Sequence, residues 1–132
     1  FVIGEQQQST EKNIKFLGKM PYEKVLETLP QFGIGLAFYT SREPWTKYCD
    51  PVKVRDYLAS SLPVIINKIP PVSDDIQKYK AGEVVNSKVE EIIKASKKIV
   101  SRYQTYTSNA RTLARDFDSH KLIKEALEKL EN

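Results

Sequence analysis

Residues 50–67 read DPVKVRDYLASSLPVIIN, and this stretch decides the fold. Its first half places apolar residues at helical spacing after a proline, and its end, residues 63–67, is a short apolar run that closes on an asparagine. Asp50 followed by Pro51 predicts an N-cap and a proline in the first helical turn, with the helix running to about Ser61. A helix that leads directly into a buried strand is typical of an α/β unit with a parallel sheet.

The same alternation continues on both sides of this stretch. Further strands are predicted over the apolar runs 1–3, 14–17, 33–39 and 83–86. Helices are predicted to open near Pro21, to pass through Asp75 and Tyr79, and then to follow one another over 89–100, 106–117 and 122–130. We therefore expect a Rossmann-like fold of the α/β class. It would have a doubly wound parallel sheet with helices on both faces, followed by C-terminal helices.

Composition limits the classes of protein and of site. The chain has 132 residues, of which 40% are hydrophobic and 29% charged, which is typical of one globular domain. Cys49 is the only cysteine and His120 the only histidine, so we expect neither an internal disulfide nor a structural metal site. A cytoplasmic location fits this cysteine usage.

The net charge of +4 suits an anionic ligand, an anionic membrane surface or nucleic acid. The sequence shows neither the arginine and aromatic pattern of an RNA-binding sheet nor a recognition-helix signature. We therefore expect no nucleic-acid partner, and the basic excess leaves an anionic small molecule or a membrane surface.

The loop over residues 40–50 is the best candidate for ligand binding. Ligands of open α/β sheets bind at the carboxyl ends of the strands, and the N-terminus of the next helix offers free amides and a positive dipole to a diphosphate. Lys53 in the first turn adds a point charge, and Asp56 on the same face is placed to accept from ribose hydroxyls. The loop itself carries two cations and two large aromatics: Arg42, Trp45, Lys47 and Tyr48.

Each of these residues also has a plainer interpretation. Asp50 would serve only as a helix cap, and Lys53 with Asp56 would form a surface pair worth about 0.3 kcal/mol. Trp45 would cover the core, and Cys49 would be an inert small side chain. Residue spacing alone leaves both interpretations open.

Two segments resemble the family 4 (group 1) glycosyltransferases. Residues 13–23, NIKFLGKMPYE, resemble the "NVxFLGxVPYEEL" segment of that family, and residues 50–65 resemble its "PLKVREYLAxGLPVI" segment. The second match is specific, because a helix-opening proline, a basic residue, an acid–Tyr pair and Pro-Val-Ile fall at the same offsets. Residues 2–5, VIGE, resemble the "VIGxG" strand end that precedes them.

The resemblance implies the two-domain GT-B fold, in which the second domain binds a nucleotide-sugar. Residues 1–132 would be a single, partial donor-binding domain, with the N-terminal acceptor domain outside this chain. The enzyme would move a sugar from a UDP- or GDP-sugar to a saccharide or lipid-linked glycan, as in polysaccharide biosynthesis. The resemblance implies no cofactor beyond the donor, an inactive isolated domain, and peripheral contact with the inner face of the membrane.

The resemblance also assigns roles to residues. The backbone of Lys19 and Met20 would contact the base, and Asp56 would replace the second glutamate of the paired-glutamate motif that binds ribose. Tyr48 stands where the first glutamate is expected, which leaves the donor-sugar contact open. The phosphates would face the helix start, which is formed by Asp50, Pro51, Val52 and Lys53.

The resemblance places residues 1–3 at the second strand of such a domain, so its first strand and helix are expected to be absent from the chain. In the strand order 3-2-1-4-5-6 the absent strand lies in the middle of the sheet. Each buried backbone group left unpaired there would cost about 1 to 3 kcal/mol. Three arrangements remain open: a longer natural protein, a strand from a second polypeptide, or a strand-exchanged homodimer.

Two other functions fit the same elements. A non-catalytic α/β interaction module would show the same alternation, although no acidic cluster of a receiver domain is present. A membrane-surface protein would use the basic helices, and this function is compatible with a transferase that acts on lipid-linked acceptors.

Overall fold

The computed structural model describes residues 1–4, 11–118, 123 and 127–129. Its parallel sheet has the order β1-β2-β3, with β1 at Gly35–Ala37, β2 at Val64–Asn67 and β3 at Gly82–Val85. The helices are α1 at Tyr22–Thr28, α2 at Val52–Ala59, α3 at Val72–Tyr79, α4 at Val89–Ser101 and α5 at Tyr103–Asp116. Short 3-10 turns occupy Leu29–Gln31 and Pro44–Lys47. The predicted α/β class and the parallel sheet are confirmed.

The core lies on both faces of β2, whose residues are all buried. Val64 and Ile66 point to one face and pack among buried residues of α2, α3 and α5. Ile65 points to the other face and packs with α4 and with Tyr106. This strict alternation explains why the run 63–67 is continuously apolar, since helices cover both sides of the strand.

The strand predicted over 33–39 is shorter than expected. Regular pairing covers Gly35–Ala37, and the side chain of Leu36 is 52% exposed. The expectation that this strand is covered on both faces is therefore wrong at Leu36. Beyond Ala37 a side chain replaces the ladder: Asn67 Oδ1 accepts the Tyr39 N–H at 3.0 Å, and Nδ2 donates to the Tyr39 carbonyl at 2.7 Å.

The first two predicted strands contact each other at a single parallel bridge between Val2 and Phe16. Val2 N–H donates to the Lys15 carbonyl at 2.8 Å, and Leu17 N–H donates to the Val2 carbonyl at 2.8 Å. A cavity of about 700 Å³ lies between this bridge and β1, lined by residues 1–3 and 33–36. Among the described residues, the Val2–Phe16 bridge and β1 are thus not joined into one sheet.

Of the C-terminal helices, α4 starts at the predicted residue and α5 starts three residues earlier than predicted. α4 and α5 cover the expected segments, and residues 123 and 127–129 are helical, while the rest of the helix predicted over 122–130 lies outside the described residues. None of the helices in the described part of the chain has the length and apolarity needed to cross a membrane.

Gly82 is required by the close approach of β3 to β2. A Cβ at Gly82 would lie 1.9 Å from the Val64 carbonyl oxygen, whereas a Cβ at Gly33 would meet no atom within 4 Å. We expect Gly82→Ala to lower the free energy of unfolding by about 3 kcal/mol, because a backbone atom cannot move aside without disturbing the ladder. Urea denaturation measures this, with Gly33→Ala as the matched control, expected to change stability by less than about 0.5 kcal/mol. Equal stability of the two variants would contradict the strand packing described here.

Candidate functional site

The start of α2 lies at the carboxyl end of β1, where ligands of parallel sheets bind. Pro51 stands at the N-cap position, and its carbonyl accepts the Val54 N–H at 3.0 Å. The amides of Val52 and Lys53 find no acceptor among the described residues, and both side chains are exposed, Val52 by 64%. The first amides of this helix are therefore uncapped by any described residue.

Asp50 does not cap the helix, so that prediction is wrong. Its carboxylate is held by the Arg55 guanidinium, with Nε 2.7 Å from Oδ1 and Nη2 2.6 Å from Oδ2. Arg55 in turn stacks on the Phe117 ring, 3.3 Å from the ring centroid. A bidentate pair engages both oxygens of Asp50 and offsets its charge, so the amides beyond Pro51 remain available.

Lys53 contacts an aromatic ring rather than Asp56. Its Nζ lies 5.2 Å from the centroid of the Tyr39 ring, within the range of a cation–π interaction. The Tyr39 hydroxyl is buried with no hydrogen-bond partner in the described structure. Burial, with smaller contributions from Cys49 and Tyr57, raises the pKa of Tyr39 to about 12.

Asp56 links α2 to α1. Its Oδ1 accepts the Tyr22 hydroxyl at 2.7 Å, and this hydrogen bond, ahead of burial and charge repulsion, raises the pKa of Tyr22. Oδ2 accepts no hydrogen bond from the described residues. Because Lys19 and Met20 directly precede α1, the Tyr22–Asp56 bond brings the predicted base-contact segment to α2. The plainer interpretation of Lys53 and Asp56 as a surface pair is not observed.

The loop between β1 and α2 is held by its own backbone and exposes its large aromatics. The buried Thr46 hydroxyl lies 2.8 Å from the Thr40 carbonyl and 2.7 Å from the Glu43 carbonyl. Trp45 is 64% exposed and Tyr48 is 85% exposed, so the interpretation of Trp45 as a core cover is wrong. The predicted site residues of this loop therefore present rings to solvent beside the helix start.

Sequence reasoning missed four residues that shape this site: Tyr22, Tyr39, Arg55 and Asn67. A signal existed for Asn67, because a polar residue directly after a buried apolar run must find partners for its amide. Another existed for Tyr39, which follows an apolar strand. Tyr22 bonds to Asp56 on another helix, and Arg55 bonds to Asp50 across the start of α2. Residue spacing alone gave no signal for either bond.

Lys53 and Asp56 also line the 700 Å³ cavity, together with residues 1–3 and 33–36. The candidate donor site and the interruption in the sheet are therefore neighbours. Residues 1–130 match the family described as "Glucosyltransferase 3-like, C-terminal domain". The chain belongs to this glucosyltransferase 3-like family. No curated protein and no solved structure matches this chain.

Membership of the glucosyltransferase 3-like family confirms the coarser part of the sequence resemblance, namely a glycosyltransferase-related domain. The described residues hold no group of three or more His, Cys, Asp or Glu side chains arranged for a metal ion.

The Asn67 side chain fixes the point at which the glucosyltransferase-like domain's site loop leaves β1. We expect Asn67→Ala to cost about 2 to 3 kcal/mol of unfolding free energy, because it leaves the Tyr39 N–H and carbonyl without their partner in a partly buried position. The matched control is Asn109→Ala, which removes one exposed hydrogen bond to the Lys80 carbonyl and should cost about 0.5 kcal/mol. Thermal or urea unfolding of both variants checks this. An equal loss of stability would show that the two Asn67–Tyr39 hydrogen bonds contribute no more than one exposed hydrogen bond.

Proposed function

We propose that this domain binds the nucleotide-sugar donor of a two-domain GT-B glycosyltransferase, with the diphosphate at the start of α2. The observation that carries the proposal is the uncapped helix end, where the amides of Val52 and Lys53 have no acceptor among the described residues and both side chains are exposed. Hydrogen bonds from such amides to charged oxygens are worth about 1.5 to 3 kcal/mol each, and the helix dipole adds about 0.3 to 1 kcal/mol.

The ribose would lie against Asp56. Its free Oδ2 is an acceptor for the sugar hydroxyls, while the Tyr22 hydroxyl holds Oδ1 and fixes the rotamer. The Asp56 side chain is one methylene shorter than the glutamate of the family 4 glycosyltransferases. The ribose would therefore approach α2 more closely or bind through a water. The base would then extend toward the backbone of Lys19 and Met20, on the α1 side of the site.

The sugar would project toward Tyr48 and the exposed rings of the 40–50 loop, where saccharide faces stack well on aromatic side chains. The donor would be a UDP- or GDP-sugar, with glucose favoured by the family description. The acceptor, a saccharide or lipid-linked glycan, would be presented by an N-terminal domain across the cleft. The helix dipole and Lys53 supply the positive charge that a metal would otherwise provide for the leaving diphosphate.

Calorimetric titration with UDP, GDP and ADP tests the phosphate site. We expect Lys53→Ala to weaken binding of the preferred nucleotide about 10- to 100-fold, because it removes one charge-assisted contact to the diphosphate. Lys97→Ala, which removes a cation from α4 that is also exposed, should leave the affinity within about twofold. Equal affinity of the two variants, or no binding of any of the three nucleotides to a folded two-domain enzyme, would refute the proposal.

The ribose contact is tested with a nucleotide that lacks the ribose hydroxyls. We expect Asp56→Ala to weaken UDP about 10-fold and to change the affinity for 2′,3′-dideoxy-UDP by less than about twofold, because only UDP offers hydroxyls to the carboxylate. Glu90→Ala, an exposed acid on α4, is the charge control and should affect both ligands equally. If Asp56→Ala weakens both nucleotides to the same extent, Asp56 does not contact the ribose.

A further inference from the structure

A second cavity, of about 420 Å³, lies beside β3, which is the last strand of the described sheet. This edge cavity has the end of α3 as one wall, with Gln77 and Lys80, and the junction of α4 and α5 as the other, with Lys98 and Arg102. The two walls belong to opposite faces of the sheet, because α3 and α4 pack on opposite faces of β2. None of its lining residues lines the 700 Å³ cavity, so the edge cavity is separate from the candidate donor site.

The edge cavity contains more positive than negative charge. Its charged lining residues are three cations, Lys80, Lys98 and Arg102, and one carboxylate, Glu83. Both oxygens of Glu83 are engaged: Lys98 Nζ lies 2.8 Å from Oε1 and 2.9 Å from Oε2, and the Tyr106 hydroxyl donates to Oε1. Lys80 and Arg102 have no carboxylate partner among the described residues. The cavity is therefore suited to an anionic ligand.

The backbone at Lys80 adopts a conformation that favours glycine. Lys80 closes α3 with φ 53° and ψ 40°, in the left-handed region, where a side chain is sterically disfavoured. Its backbone is held there, because its N–H donates to the Gln77 carbonyl at 3.2 Å and Asn109 Nδ2 donates to its carbonyl at 3.1 Å. Glycine would make this turn with less strain, so the turn does not explain why a lysine lines the cavity here.

The strand edge adds backbone hydrogen-bonding groups to the edge cavity. Val64 N–H donates to the Ala81 carbonyl at 3.2 Å, and successive residues of a strand direct their groups to opposite edges. The N–H and carbonyl groups of Gly82 and Val84 therefore point away from β2, and both residues line the cavity. The cavity thus offers donors and acceptors of the strand beside the cations of its walls.

These groups together select the class of ligand. A metal ion would be repelled by three cations and would find Glu83 already engaged. A phosphate matches the cations, since a guanidinium binds two phosphate oxygens at once and an ammonium adds a point charge. Hydroxyl groups match the strand edge and the Gln77 amide, because a hydroxyl both donates and accepts. A volume of 420 Å³ is within the range of small-molecule sites, about 300 to 1,000 Å³.

We propose that the edge cavity binds a phosphorylated sugar, with its phosphate between Lys80, Lys98 and Arg102 and its hydroxyls along β3. The phosphate would bridge the end of α3 and the α4–α5 junction. β2 separates β3 from β1, at whose carboxyl end α2 begins, so this ligand would not occupy the donor position. The proposal goes beyond the donor site and does not depend on it.

Calorimetric titration of the full-length protein with glucose 1-phosphate, glucose 6-phosphate, inorganic phosphate and glucose tests the ligand class. We expect the tighter of the two sugar phosphates to bind at least about 10-fold more tightly than inorganic phosphate, because phosphate and hydroxyls contribute together, and glucose to show no measurable binding. Equal affinity for sugar phosphate and inorganic phosphate would overturn the proposal, since it would indicate an adventitious ion only. No binding of either sugar phosphate would also overturn it.

Two glycine variants separate ligand contact from folding. Lys80→Gly removes a cation and should weaken sugar phosphate binding about 10-fold, while the midpoint of thermal unfolding stays the same or rises, because glycine suits the left-handed backbone. The matched control is Ser87→Gly, at another residue with positive φ, 62°, that does not line the cavity. It should leave the affinity within about twofold. Equal effects of the two variants on binding would contradict the proposal.

A second pair of variants tests the other wall. Arg102→Ala should weaken sugar phosphate binding about 10-fold, because the guanidinium no longer binds the phosphate. Lys97→Ala removes an exposed cation of α4 that lies outside the cavity and should leave the affinity within about twofold. If both variants bind sugar phosphate equally well, the phosphate does not lie in the edge cavity.

Nucleotide titration of the same variants distinguishes the edge cavity from the donor site. Lys80→Gly and Arg102→Ala should leave the affinity for the preferred nucleotide within about twofold, and Lys53→Ala should leave the affinity for sugar phosphate within about twofold. If Lys53→Ala weakens sugar phosphate and Lys80→Gly does not, the sugar phosphate binds at the donor site and the edge cavity is refuted. Loss of nucleotide binding alone would refute the donor site and keep the edge cavity.

Discussion

The pairing of β1 with β2 is the constraint on which the site depends. β2 is buried on both faces, so its position is fixed by two layers of apolar contacts. β1 is held to it by a short ladder, and Asn67 extends that ladder with its side chain to Tyr39. The chain therefore leaves the sheet at a defined place and enters α2, whose first amides have no side-chain cap. A looser β1 would move the loop, the helix start and Lys53 together.

The charged side chains around that helix start are each held by a partner. Asp50 lies next to the amides and would repel an anion, but Arg55 engages both of its oxygens and is itself held on Phe117. Lys53 lies on the ring of Tyr39, and burial of that ring raises the pKa of Tyr39 to about 12. The net result is a helix end with bare donors and a nearby cation, which is the arrangement that anionic ligands favour.

The cavity connects the fold to the function. In a continuous doubly wound sheet, the ligand site and the central strands meet at the same edge. Here the residues proposed for phosphate and ribose contacts line the cavity that separates β1 from the Val2–Phe16 bridge. The proposed donor site and the gap between the bridge and β1 are therefore neighbours. The Tyr22–Asp56 bond and the Phe1–Phe32 ring contact join elements on the two sides of this gap.

The sequence by itself determined the α/β class, the order of elements, the start of α2 near Pro51 and the buried run that became β2. These features follow from local periodicity and from proline and glycine positions, which act within a few residues. Tertiary structure alone decided that Lys53 contacts Tyr39 and that Asp56 contacts Tyr22, because these partners lie on separate elements. It also decided that Asp50 pairs with Arg55 instead of capping the helix. It also decided that Leu36 is half exposed and that β1 ends at Ala37, since burial and strand length depend on which neighbours a strand has, and periodicity does not contain that information.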